Sequence, residues 1–389
     1  MTEACIVGWA HTQFGKSEDP DIETLFGRVA RAAIEDAGIA PAEVDGVFVG
    51  VFNNGFSKQD FPSSLVFQTV PELRFKPATR YENACATGTA AIHGARDFIA
   101  AGRGRIALVV GAEKMTATPT AVVGDILLNA SYRAEEGDIP AGFAGVFGKI
   151  AERYFQKYGD QSDALAAIAA KNHANGVDNP YAQMRRDFGY DFCRNVSEKN
   201  PSVAPPLKRT DCSLVSDGAA ALILADEDTA RAMSKAIRFR AAVQVNDFLP
   251  ISKRDITSFE GAAHAWHRAF GDAGIGLSDL SFVETHDCFT IAELIEYEAM
   301  GLTAPGEGRR AILEGWTRKD GKLPINRSGG LKSKGHPIGA TGVSMHVMTA
   351  MQLAGQAGDL QLPRADIGGV FNMGGAAVAN YVSVLERLV

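Results

Sequence analysis

Two stretches of this chain read alike: IEDAGIAPAEVDGVFVG, from Ile34 to Gly50, and FGDAGIGLSDLSFVETH, from Phe270 to His286. Each predicts a helix end, a glycine stop, a turn and then a strand, and the shared DAGI marks the register. The likeness extends on both sides. CATGTAAIHGARDFIAAG from Cys85 aligns with GATGVSMHVMTAMQLAG from Gly339, two small-residue helix starts with apolar residues at helical spacing. RIALVVGAE from Arg105 aligns with ADIGGVFNM from Ala365, and SDGAAALILADE from Ser216 with MGGAAVANYVSVLE from Met373. A repeated supersecondary unit predicts two similar cores packed about a pseudo-twofold. In the second copy the last two strands adjoin through Gly374 and Gly375, whereas in the first about a hundred residues separate them, which marks an insertion. The fold class is therefore α/β: a first core over 1–114 plus 211–233, an inserted loop domain over 115–210, and a second core over 234–389.

Length and composition agree with this division. At roughly 150 residues per domain, 389 residues allow two to three domains. With 46% hydrophobic and 22% charged residues the chain has material for two cores. The net charge of -7 disfavours attraction to phosphate backbones, so no nucleic-acid partner is expected. Apolar runs such as 106–110 and 219–225 are far short of the roughly 18 residues that cross a bilayer, and read as buried strands. Five cysteines without a Cys-x-x-Cys pair, and an N-terminus without export or transit character, predict free thiols and a cytoplasmic location.

Three places offer chemistry. Cys85 stands between a strand-like segment and a helix start, where free N–H groups and the helix dipole favour a thiolate; a small packed cysteine explains the same sequence equally well. GGLKSKGHPIGATG, Gly329 to Gly342, holds His336 in a loop of five glycines and one proline just before a helix. The repeat puts His336 immediately upstream of the position equivalent to Cys85, so a pseudo-twofold brings a thiol and a base together. In ETHDCFTIAE, from Glu284, a strand ends in His286, Asp287 and Cys288. No second Cys/His pair at zinc-like spacing accompanies them, so no metal site is expected. His264 and His267, three apart on one helix, receive no role. Phosphate-loop, Rossmann and G-x-S-x-G patterns are missing, which disfavours nucleotide-cofactor and serine-hydrolase chemistry.

Taken in order, ENACATG, SDGAAALIL, GGLKSKGHPIGATG and NMGGAAVA resemble the motifs of the thiolase superfamily along almost the entire chain. HDCF and KNHANGVDNPYAQ are most similar to the sterol-carrier-protein type branch. The resemblance implies a thiolase-like fold and an acyl-CoA acyltransferase that cleaves 3-oxoacyl-CoA or runs the reverse Claisen condensation. It assigns Cys85 as nucleophile, His336 as its base, His286 and His336 as donors to the enolate oxygen, and the N–H groups of Cys85 and Gly375 as the oxyanion hole. Most thiolases carry a second cysteine before the C-terminal Gly-Gly; here that stretch is Phe371-Asn372-Met373-Gly374, and Cys288 is the implied substitute. Coenzyme A enters as substrate and product, with no tightly bound cofactor. The implied partners are acyl-CoA, a second copy of the chain and a zinc-ribbon/OB-fold accessory protein. Two other readings stay open: a retro-aldolase acting on 3-hydroxyacyl-CoA, and a non-catalytic acyl-CoA-binding subunit. No motif identifies the residues that bind the acyl chain.

Overall fold

The computed structural model describes residues 3–389; Met1 and Thr2, at the start of the first core's range, lie outside the described residues. Its strands are β1 (Ala4–His11), β2 (Gly46–Gly50), β3 (Ala78–Tyr81), β4 (Ile106–Glu113), β5 (Ser202–Ala204), β6 (Leu207–Lys208), β7 (Gly218–Asp226), β8 (Ile237–Asn246), β9 (Phe282–Glu284), β10 (Ile367–Gly374) and β11 (Ala379–Arg387). Helices of eight residues or more, numbered in chain order, are α1 (Ile22–Asp36), α2 (Pro62–Thr69), α3 (Thr87–Ala100), α4 (Thr120–Leu127), α5 (Phe143–Tyr158), α6 (Ser162–Val177), α7 (Glu260–Ala273), α8 (Thr290–Ala299) and α9 (Ile338–Leu353). Among the described residues no helix is long and apolar enough to cross a membrane.

Nine strands form one mixed sheet in the order β3-β2-β4-β7-β1-β8-β11-β10-β9. Read outward from the β1–β8 join, the two halves run in the same order, and the strands matched by the sequence repeat occupy matching places. Even the edge is echoed: β2 pairs in parallel with β3, and Val283 on β9 makes a single parallel bridge with Ile325. Among the described residues the two halves of the sheet are joined by two strand residue pairs alone, Cys5 with Arg238 and Ile6 with Ile237. What unites them lies on the inner face. Helix α9 is buried at every residue but Met351, and it packs against β4 and β7 of the first half as well as β10 of its own.

Sequence patterning explains the layers. On β2, Val47 and Val49 turn toward α1, joining Leu25, Phe26 and Val29, while Phe48 faces the opposite side with Ala91, Ile92 and Ala95 of α3. Phe239, Ala241 and Val243 on β8 meet Ala262, Ala265 and Trp266 of α7. Each large apolar side chain among these, Val, Leu, Ile or Phe, contributes about 1.5–3 kcal/mol when buried. The DAGI glycines Gly38 and Gly274 have φ of +68° and +64°, the left-handed conformation that ends a helix at least cost. All five cysteines are unpaired.

The contact between α3 and α9 is a crossing of backbones. A Cβ on Gly342 would lie 2.4 Å from the backbone nitrogen of Thr89, and one on Gly88 would lie 2.8 Å from that of Val343. These two glycines are equivalent in the repeat, and they face each other. Gly111 on β4 likewise leaves room for the Gly339 carbonyl, which would stand 2.3 Å from an added Cβ. We expect Gly342→Ala to destabilise the fold by about 1–3 kcal/mol, since the obstructing atom is backbone and cannot rotate away. A melting temperature equal to that of the unmodified chain would show that the two helices can separate without loss.

Candidate active site

Cys85 sits where β3 gives way to α3. Ala84 before it has φ of +50°, a conformation costly to a residue with a Cβ, and it turns the thiol out of the strand direction. The turn is held by bonds from Ala86 N–H to Asn83 O, from Thr87 N–H to Ala84 O, and from Asn83 N–H to Thr87 Oγ1. Gly374 of β10 lies so close that a Cβ would stand 2.2 Å from Asn83 O. This approach carries the N–H of Gly375, at φ +63°, up to the Cys85 sulfur. Arg254 fixes the far side of the Gly-Gly turn by donating Nη1–H to the carbonyls of Ala376 and Ala377, at 2.8 and 3.3 Å.

The expected meeting of thiol and imidazole takes place. Ligand-type atoms of Cys85, His286 and His336 all lie within 4.8 Å of one another, and the two imidazoles stack edge to face with centroids 5.2 Å apart. Hydrogen-bond partners give the two rings opposite tautomers. Asn372 donates Nδ2–H to the Cys85 carbonyl at 3.2 Å and accepts from Thr89 Oγ1, so its amide has one orientation. The same nitrogen lies 2.8 Å from His286 Nδ1, which must accept. The ring proton of His286 is then on Nε2, which is buried and has no partner, a donor directed at whatever enters. His336 is the reverse case. Thr341 Oγ1 donates to Pro337 O at 2.9 Å and accepts Nδ1–H of His336 at 2.7 Å, leaving a lone pair on Nε2. One imidazole offers a proton and the other a place for one. Such a trio could be taken for metal ligands, but a ring that presents N–H has no lone pair to give.

Electrostatics correct one expectation. The helix start was expected to favour a thiolate at Cys85; instead burial pushes its pKa up to about 12, even though the N–H groups of Gly375 and of Cys85 itself pull the other way. Desolvation outweighs two hydrogen bonds because the sulfur is buried, Cys85 being only 4% exposed. Burial, with help from the nearby Lys334 charge, lowers His336 to about 3. His286 is held far below its ordinary value by burial and by His336. At neutral pH the resting trio is thus a neutral thiol between two neutral imidazoles. Cys288 is also buried and lines the same cavity as Cys85 and His336; burial, then the proximity of Cys85, Glu296 and Asp287, raises its thiol well above the usual range. His264 and His267 lie exposed on α7, away from this cluster.

The loops that carry these groups are held by residues to which the sequence gave no role. Ser216 of the SDG stretch accepts the N–H of His336 at 3.0 Å, and Asp217 accepts from Met115, Thr116 and Lys114 where the insertion leaves β4. Asp287 accepts from the N–H groups of Leu331 and Lys332 and from Asn172 Nδ2, which ties the HDCF loop to the Gly-rich loop. Helix α6 of the insertion adds Lys171, paired in the interior with Glu293 of α8, and Asn175 on the carbonyl of Asn326, and just past its end Asn179 donates to the carbonyl of Ser328. The stretch KNHANGVDNPYAQ was read only as a subfamily mark. Its alternation of amides and charges along one helix was the available signal that it buries polar groups.

Family profiles agree with this architecture. Residues 4–188 match "Thiolase, N-terminal domain" and residues 244–387 match "Thiolase C-terminal domain-like". The chain belongs to the thiolase family. It is an acyltransferase of the thiolase type. Over the whole of both chains it is 35% identical to the acetyl-CoA acetyltransferase of Methanothermobacter thermautotrophicus. Rabbit (Oryctolagus cuniculus) sterol carrier protein 2 is 32% identical, with 96% of this chain and 70% of that protein covered. Among solved structures, one described as an Ltp2-ChsH2(DUF35) aldolase superposes with a TM-score of 0.82 at 22% identity, over 99% of this chain and 97% of that one. An acetyl-CoA acetyltransferase from Syntrophomonas wolfei gives 0.72 at 18%, over all of both chains. At these identities the two structures speak for the fold alone.

A neutral resting thiol has a measurable consequence. Alkylation of Cys85 by iodoacetamide in the substrate-free enzyme should climb steadily from pH 7 to pH 10 with no plateau near neutrality. A plateau at or below pH 7 would mean a standing thiolate–imidazolium pair and would overturn the neutral assignment.

Proposed function

We propose that this thiolase works through an acyl-enzyme on Cys85, with His336 as the base, Cys288 as the acid/base at the α-carbon, and His286 as a donor to the enolate. The observation that carries this reading is the pair of opposite tautomers around one thiol. His336 Nε2 takes the Cys85 proton as sulfur attacks C3 of a 3-oxoacyl-CoA. The carbonyl oxygen, now bearing charge, is met by the N–H groups of Cys85 and Gly375. The C2–C3 bond breaks and its electron pair becomes an enolate, whose oxygen faces the His286 Nε2–H and the newly protonated His336. Cys288, which burial keeps protonated, gives its proton to C2, and acetyl-CoA leaves. Free CoA then loses its thiol proton to the Cys288 thiolate and takes the acyl group from Cys85, whose sulfur recovers its proton from His336; condensation runs the same steps backward. A single oxyanion-hole donor is typically worth about 3–4 kcal/mol, so each of these contacts matters at the level of a hundredfold in rate.

In this reading 1–114 with 211–233 and 234–389 are the catalytic cores, and 115–210 is the insertion that walls the substrate cavity. Coenzyme A is substrate and product, and the location is cytoplasmic. The aldolase-like alternative shares the fold, but a retro-aldol step has no use for the Cys85 thiol that so many contacts position. Mass spectrometry after mixing with acetyl-CoA should find an acetyl adduct on Cys85 in the unmodified chain and in Cys288→Ala, and none in Cys85→Ala. Cys288→Ala should fail to exchange the α-protons of the bound thioester with deuterium. No adduct on the unmodified chain would favour the aldolase or the non-catalytic reading, and exchange at the normal rate in Cys288→Ala would place the α-carbon base elsewhere.

We further propose a homodimer through β3. This strand ends the sheet with one side unpaired, and Phe61 and Phe75 are exposed near it in sequence, 70% and 87% accessible. An accessory protein is a further proposed partner, by analogy with the aldolase neighbour described together with a DUF35 component. Light scattering at micromolar concentration should give twice the chain mass, rising when a zinc-ribbon/OB-fold protein is co-expressed. A monomer would contradict the first proposal, and an unchanged mass the second.

A further inference from the structure

The cavity that reaches Cys85 has a volume of about 510 Å³, within the range of sites that enclose whole small molecules. Beyond the reacting groups its wall is mostly hydrocarbon, chiefly Met115, Val123, Leu127, Phe143, Phe289 and Ile338, with Thr120, Gln183, Ser213 and Arg209 as its polar members. Met115, Val123 and Ile338 form one apolar cluster with Cys85 itself. Phe289 stacks on Phe147 with centroids 4.4 Å apart and lies 6.4 Å from Phe143, so this part of the wall is packed from behind. Among the described residues no Asp, Glu or Lys lines the cavity, and the charged side chain that does, Arg209, belongs to an exposed residue. An acetyl group on Cys85 would leave most of this surface uncovered.

Building on the thiolase reading above, we propose that the acyl group carried by Cys85 is an uncharged hydrocarbon chain longer than acetyl, and that α4 sets its length. In the degradative direction Cys85 bonds to C3, the C2–C3 bond breaks with its electrons going to C2, C2 is protonated and departs as acetyl-CoA, and the chain from C3 onward stays on sulfur in the cavity. CoA-SH then gives its thiol proton to the Cys288 thiolate and attacks this acyl group, the departing Cys85 sulfur takes its proton back from His336, and the shortened acyl-CoA leaves. Helix α4 contributes Val123 and Leu127 on either side of Gly124, which lines the same cavity. A Cβ built on Gly124 meets no heavy atom within 4 Å, and its φ is ordinary for a helix, so this glycine is not required by packing. It leaves space that a longer side chain would take.

The test is thiolysis of acetoacetyl-, 3-oxohexanoyl-, 3-oxooctanoyl- and 3-oxoadipyl-CoA by the full-length enzyme and by Gly124→Leu. For the unmodified enzyme kcat/KM should rise by about fourfold for each methylene added beyond acetoacetyl-CoA, as burial of a methylene predicts. The dicarboxylic 3-oxoadipyl-CoA should fall below 3-oxohexanoyl-CoA, because its carboxylate would leave water for an apolar wall. Gly124→Leu should reduce the preference for 3-oxooctanoyl- over acetoacetyl-CoA by tenfold or more. Leu is the better helix former, so the variant is expected to fold, and acetylation of Cys85 by acetyl-CoA reports that it has. The proposal is overturned if acetoacetyl-CoA is the best substrate of the unmodified enzyme, if 3-oxoadipyl-CoA surpasses 3-oxohexanoyl-CoA, or if a Gly124→Leu enzyme that still acetylates keeps the original preference. If Gly124→Leu does not fold, the profile of the unmodified enzyme decides. Should Cys85 take no acyl group from any thioester, the acyl-enzyme reading fails instead, a result distinct from acetylation with a preference for short chains.

Discussion

The active site exists because two helix backbones touch. Gly88 and Gly342 are the same residue of a duplicated unit, and at their crossing neither has room for a Cβ. That absence of side chains lets α3, which begins just after Cys85, and α9, which begins just after His336, bring their N-termini to one point. A single methyl group there would push the Cys85 thiol and the His336 imidazole apart. Interiors packed at crystal-like density transmit such a shift rather than absorb it. Asn372 then exploits the closeness: from β10 it reaches Thr89, the Cys85 carbonyl and His286 at once, bonds that can form only if both halves are in register.

The burial of the three side chains decides the chemistry of the site as much as its geometry does. At that depth an ion pair between cysteine and histidine loses more by desolvation than it gains by attraction, so the resting groups are neutral. In the proposed mechanism charge appears only when a carbonyl oxygen arrives to receive it, at which point fixed N–H groups are already in place. A site arranged this way stabilises the transition state without first having to reorganise. The opposite tautomers of His286 and His336 follow from partners several bonds removed from the reaction, Asn372 in one case and Thr341 in the other.

The insertion has two functions in this structure. It walls the cavity, and it fastens the catalytic loops through α6. The buried Lys171–Glu293 pair and the amides of Asn172, Asn175 and Asn179 satisfy carbonyls and carboxylates that the HDCF and Gly-rich loops would otherwise leave unpaired in the interior. An unpaired buried charge is far more costly than an unpaired surface one, so these bonds make the two loops dependent on the insertion for their shape.

Local pattern determined the elements and their pairing. The DAGI repeat, the alternating valines of β2 and the glycine-rich helix starts carry period, stop signals and equivalence in the chain itself, so the two α/β halves, the inserted segment and the convergence of Cys85 with His336 were legible without coordinates. That the Gly-Gly turn comes up beside Cys85 was implied by the family resemblance, not carried by local pattern. Three matters were decided only by the tertiary structure. Burial set the protonation of Cys85, and depth is a property of the whole packed molecule. The roles of Asn372, Thr341 and Arg254 depended on which atoms they face across the fold, since an asparagine in a strand or an arginine in a loop has no distinguishing local signal. The size and apolar character of the cavity arose from α4, α5, the segment before β7 and the HDCF loop, which are remote in sequence and share a surface only once the insertion has folded back onto the two cores.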